Sequence, residues 1–156
     1  MPLVDSLAAT PVAVALRASP TLYLLINAAH ILGIGLIMGA ILPLDLRLIG
    51  VLRHPPVPVI GPFLVRAAGV GVALALITGL ALVAVKPADY LANGAFLTKL
   101  SLLAALAGLI AIQHANPGFR ASLHGGLIPL SVRCVALLSS LLWLATLVAG
   151  RWIGFL

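Results

Sequence analysis

The sequence predicts an all-α fold: an integral membrane up-down four-helix bundle preceded by a short N-terminal interfacial helix. Two observations predict it. Apolar residues make up 63% of the 156 positions against 8% charged, with a mean hydropathy of +1.26, far outside the soluble range. Four apolar stretches also reach the roughly 20 residues a helix needs to cross the hydrocarbon core, and breaker-rich segments separate them.

Residues 1–19 form a segment apart from the four-span region 20–156. Thr10-Pro11 interrupts its apolar pattern, and Asp5 sits where a secretory leader would carry positive charge, so no cleaved leader is expected. Leu3, Val4, Leu7, Val12, Val14, Leu16 and Arg17 fit one or two short helical turns on a membrane surface.

The first span is expected over about 20–48. Ser19 is its N-cap, and Pro20 takes the first helical position, where a missing N–H costs nothing. It stops before His54-Pro55-Pro56-Val57-Pro58, whose prolines forbid a continuing helix. The second span covers about 62–85 and stops at Lys86-Pro87. The third runs over about 95–115, between Asn93-Gly94 and Asn116-Pro117-Gly118. The fourth follows Gly125-Gly126 over about 127–155.

An even number of spans puts both termini on one side. Arg47, Arg53, Arg66, Arg120 and Arg133 flank the first and third loops, against Arg17, Lys86, Lys99 and Arg151 on the other side. The excess places those two loops in the cytoplasm and both termini outside. The net charge of +6 comes from cations scattered singly, and aromatic content is 5%. No basic stripe or stacking platform exists, so a nucleic-acid partner is excluded and the lipid bilayer is the expected partner. The lone Cys134 excludes an internal disulfide and any multi-cysteine metal site.

Spans associate through close backbone approach and a few hydrogen bonds, so small residues mark the seams. Gly35 and Gly39 in the first span, and Gly71, Ala75 and Gly79 in the second, form ridges at four-residue spacing.

An ionisable side chain within a span points to function or to a buried partner. His30 lies near mid-depth in the first span, with Asn27 one turn earlier. Lys99 lies early in the antiparallel third span, at a depth about 5 Å from that of His30, so the two meet across the bundle. At the other end, Asp45, Arg47, Gln113, His114 and Arg133 form a polar layer. Asp45 is the only acid in that half, and Arg47, Arg133 or protonated His114 is its expected partner. A structural clamp is the plainer reading of this layer.

Bis-histidine haem ligation by His30 and His114 fails, because span arithmetic separates them by roughly 18 Å along the membrane normal. His54 and His124 lie in loops without acids or cysteines to complete a metal shell. A haem on His30 alone, or on His30 with Lys99 or water, stays open beside a plain hydrogen-bonding role for the imidazole. No Gly-rich phosphate loop, His-Glu-x-x-His helix or serine elbow is present.

Ala29-His30-Ile31-Leu32-Gly33, Leu44-Asp45-Leu46-Arg47-Leu48-Ile49-Gly50, Ala95-Phe96-Leu97-Thr98-Lys99-Leu100 and Ala149-Gly150-Arg151-Trp152-Ile153 resemble a family of small bacterial four-span membrane proteins of unknown function. The likeness covers nearly the whole chain and implies a fold and a set of positions rather than a reaction. A more distant likeness is to four-helix membrane protoporphyrinogen oxidases and copper-resistance membrane proteins. The first of these implies a haem-ligand position at His30 and a basic companion at Lys99. Their surrounding motifs are not reproduced, and Met1 and Met38 are the only thioethers available for copper.

Three functions follow as expectations. The first is a haem b or related tetrapyrrole protein serving redox or electron transfer, with His30 as ligand, Lys99 or Arg151 meeting a propionate, and Asn27 nearby. The second is a non-catalytic subunit of a membrane complex or a homo-oligomer. The third, proton or small-solute passage, is the weakest, since one intramembrane Asp and no Glu offer little for a relay.

Overall fold

Side-chain caps and prolines set where the helices begin in the computed structural model, which describes residues 2–155. Helices α1 (Pro2–Ala8) and α2 (Pro11–Ala18) precede the long α3 (Pro20–Ile49) and α4 (Val57–Val85). A short α5 (Pro87–Ala92) leads into α6 (Gly94–Ala115), and α7 (Pro117–Leu123) leads towards α8 (Leu130–Trp152), which ends in a 3₁₀ turn at Ile153–Phe155. No strand occurs among the described residues.

Ser19 caps α3 as expected, its hydroxyl accepting from the Leu22 N–H at 3.3 Å. Asn93 does the same for α6, accepting from Ala95 and Phe96, and Asn116 caps α7 through Gly118. Gly50 closes α3 in the left-handed region, at φ 98°, where a Cβ would be strained.

Helix α4 starts at Val57, five residues before the expected boundary. Pro58 occupies its first turn, where no N–H is needed. Pro62 lies just past that turn and leaves only the Pro58 carbonyl without its usual helical donor. Pro43 lies inside α3 in the same way.

Four helices, α3, α4, α6 and α8, are long and apolar enough to cross a membrane, and only 17–28% of each apolar window is buried inside the molecule. Leu24, Ile31, Leu80 and other large apolar side chains point outward, a surface that only lipid or another apolar partner stabilises.

Helix α3 is central. It packs along α4 on one side and α8 on the other, and α8 packs on α6, while α4 and α6 make no extended contact. Three sides of the bundle are closed and one is open. An up-down bundle predicts that consecutive helices pack throughout; α3 with α4 and α6 with α8 do so, and α4 with α6 do not.

The α3–α4 seam is a backbone-to-backbone contact. A Cβ on Gly33 would lie 2.8 Å from the Ala75 nitrogen, and one on Gly71 would lie 2.9 Å from the Gly33 oxygen. The second-span ridge of Gly71, Ala75 and Gly79 therefore does face a helix. The first-span ridge does not: Gly35 and Gly39 are exposed, and a Cβ on either would meet nothing within 4 Å. The residue that lets α4 approach is Gly33, two positions from Gly35 and so about 200° around the helix from it.

At the end of the bundle that carries both termini, α2 buries Ala13 and Leu16 against α3 and α4. Arg17 fastens it, donating to the Val85 carbonyl at 3.1 Å and to the Ala8 carbonyl. At the opposite, loop end, the core joins Ala40, Leu44 and Leu48 of α3 to Leu64 and Ala68 of α4, Phe119 of α7, and Val132 and Ala136 of α8.

Candidate functional site

His30 projects from α3 towards α4. Its Nδ1 lies 3.0 Å from the Thr78 hydroxyl oxygen. That hydroxyl donates to the Leu74 carbonyl at 2.6 Å, the back-bond common for threonine within a helix. With its own proton committed, the Thr78 oxygen is the acceptor and Nδ1–H of His30 the donor. The imidazole is then the tautomer whose Nε2 carries the free lone pair. Thr78 is buried, and Gly79 beside it leaves the ring its place: a Cβ there would lie 3.1 Å from Cε1 of His30. The sequence had offered a helix backbone or Asn27: the Ala75 backbone of α4 is a hydrogen-bond partner of the imidazole, Asn27 is not, and the Thr78 hydroxyl is the side-chain partner. Thr78 carried no signal, since a lone threonine in an apolar span is unremarked until the facing helix is placed.

Lys99 enters from α6 with its side chain laid along Gly150 of α8, where a Cβ would lie 3.4 Å from Nζ. It is half-buried, makes no hydrogen bond or ion pair with any described residue, and is the charged group whose field reaches His30. One imidazole and one ammonium thus share a region of the bundle, each beside a glycine.

Asn27 and Arg151 are not part of that region. Asn27 is exposed, because a three-residue offset turns it about 60° from His30, off the α4 seam. Arg151 follows Gly150 by one residue, about 100° around the helix. It is exposed and lies over the Phe155 ring at 5.1 Å.

The expected ion-paired layer at the loop end does not form. Asp45 is buried, but Ser140 donates to its carboxylate at 3.3 Å and Ser139 is its other donor. No cation lies within ion-pair distance of it among the described residues. Arg47 is drawn to the proline-rich loop, donating to the carbonyls of Pro55 at 2.8 Å and Leu52 at 3.1 Å. Arg133 is exposed. His114 is exposed too, its Nδ1 donating to the Ile110 carbonyl at 2.9 Å and its ring set edge-on to Phe119. The physical reason is position: the cations stand at helix ends where carbonyls and water are near, whereas Asp45 faces α8 one half-turn deeper.

A cavity of about 350 Å³ opens between α4 and α6 beside Asp45, floored by α3 and α8. It includes Gln113, His114, Ser139 and Trp143. Gln113 Oε1 and Trp143 Nε1 are buried without a hydrogen-bond partner. No cluster of three or more His, Cys, Asp or Glu able to hold a bare metal ion occurs among the described residues.

No curated protein and no solved structure matches the chain. Residues 20–156, which include every span, match the model of a family of unknown function, DUF6644. That match covers 137 of the 156 residues, and the chain belongs to that family.

Proposed function

We propose that this membrane protein holds haem b or a closely related tetrapyrrole in the half of the bundle that carries the termini, with His30 as the axial ligand. The observation that carries the reading is the Nδ1–H···Oγ1 bond from His30 to Thr78 at 3.0 Å. A histidine that binds iron through one nitrogen characteristically donates from the other, which fixes tautomer and ring orientation. Thr78 supplies that acceptor and leaves Nε2 of His30 for the metal.

Two neighbouring features support the reading. Lys99 is a half-buried ammonium with no acid in ion-pair contact among the described residues, suited to a propionate carboxylate. Gly79 and Gly150 make room for the His30 ring and the Lys99 side chain themselves, and the open side between α4 and α6 gives a flat molecule a lateral route from the bilayer. When bound, haem supplies one-electron chemistry; the chain holds it, orients it and keeps it in a low-dielectric setting that tunes its potential. The distant likeness of His30 and Lys99 to membrane protoporphyrinogen oxidases points the same way. By the positive-inside rule this half faces the periplasm of a bacterial inner membrane.

The test separates the two residues. Purified apoprotein in nanodiscs is titrated with haem b and with its dimethyl ester, and the Soret band is followed. Lys99→Met weakens haem b by about tenfold and leaves the ester unaffected, whereas Thr78→Val broadens or shifts the band for both. Equal loss of both ligands in Lys99→Met removes the propionate role. No saturable band in the wild-type protein removes the reading altogether.

A further inference from the structure

The loop-end cavity lies 15 residues along α3 from His30, about 22 Å away, and belongs to no part of the proposed tetrapyrrole site. We infer that it binds a lipophilic amine, with the protonated nitrogen on Asp45 and the apolar body between α4 and α6. At about 350 Å³ the cavity sits at the small end of the usual range for small-molecule sites. Its mouth is the side of the bundle where α4 and α6 stand apart, so a ligand enters from the membrane.

The polar groups around it select the ligand's charge. Asp45, 5% exposed, has serine donors and no cation; a carboxylate in such a place needs a counter-charge or a proton. Gln113, 8% exposed, spends its amide nitrogen on the Val132 carbonyl at 3.5 Å, leaving Oε1 an acceptor without a donor. His114 commits Nδ1–H to the Ile110 carbonyl, which leaves Nε2 as the ring nitrogen without a partner there. No Lys or Arg lines the cavity.

This surplus of acceptors disfavours an anion and favours N–H donors with positive charge. Trp143 and Phe119 add aromatic surface, which attracts a cation over the ring face. The one unpartnered donor there among the described residues, the Trp143 indole N–H, suits an oxygen elsewhere on the ligand. An ammonium on Asp45 also resolves what the protein's own arginines do not, since Arg47 and Arg133 are turned away.

The experiment uses full-length protein in nanodiscs with Trp152→Phe, which leaves Trp143 as the sole indole. A nitroxide-bearing dodecylamine is titrated as quencher, and the matching nitroxide-bearing dodecanoic acid serves as the comparison. The expected result is saturable quenching of Trp143 by the amine at a concentration about tenfold below that of the acid, and a midpoint raised about tenfold by Asp45→Asn. A second variant guards against misfolding. Gly69 lines the mouth, is exposed, and has nothing within 4 Å of a Cβ, so Gly69→Phe blocks the cavity without disturbing a packed contact and abolishes the saturable component. Equal midpoints for amine and acid, unchanged binding in a folded Asp45→Asn or in Gly69→Phe, or quenching that never saturates would each overturn the inference.

Discussion

Gly33 and Gly71 meet backbone to backbone across the α3–α4 seam, each occupying space that a methyl group on the other helix would need. In a membrane this contact matters more than apolar area, because separated helices bury the same side chains in lipid.

The seam makes a paired prediction. Gly33→Ala or Gly71→Ala forces backbone atoms apart and lowers stability by about 1–3 kcal/mol, the usual range for overpacking. Gly35→Ala and Gly39→Ala, on the exposed face of α3, leave it unchanged or raise it by up to about 1 kcal/mol, the helix-propensity gain of alanine. Thermal unfolding of the four variants in one detergent measures the difference.

The Asp45 site predicts an asymmetry between its two sides. Ser140→Ala strips a donor from a buried carboxylate and costs about 1–3 kcal/mol. Asp45→Asn keeps an acceptor oxygen for Ser140 and costs less. Denaturation midpoints of both variants, with Asp45→Leu as the apolar substitute, check this order. The leucine variant is expected to fold, as apolar residues of similar volume commonly replace buried charges without loss.

The four spans, the Ser19 cap and the Gly71–Ala75–Gly79 ridge were legible because each depends on spacing along one chain. What was not legible depends on rotation of one helix against another. Gly33 and Gly35 differ only in which side faces α4, and no local signal distinguishes them. Thr78 as the side-chain partner of His30 and Ser140 as the partner of Asp45 are hydroxyls that satisfy themselves against their own helix in most settings, so Thr78 was passed over for a helix backbone or Asn27, and Ser140 for Arg47, Arg133 or His114. The open α4–α6 side, and with it the cavity, is a property of the whole assembly and has no sequence mark.

Outside the spans, Tyr90 on α5 supplies a pH prediction. Burial, followed by the nearby Tyr23, raises its phenol above the ordinary value of 10.0. The folded state then holds the Tyr90 proton at pH values where the unfolded state has released it, so its contribution is complete below about pH 10 and falls as pH rises beyond that. Unfolding temperatures between pH 8 and 11 should decline more steeply for wild type than for Tyr90→Phe. Parallel curves would show that Tyr90 ionises as freely folded as unfolded.

The central claim is that Nε2 of His30 is an iron ligand held ready by Thr78, and stoichiometric haem titration of wild-type and His30→Ala protein in nanodiscs tests it most directly. The expected result is a Soret band in the wild type that saturates at about one haem per chain and has no saturable counterpart in His30→Ala. A wild-type protein that stays spectrally silent, or a His30→Ala protein that saturates with the same band, would contradict it.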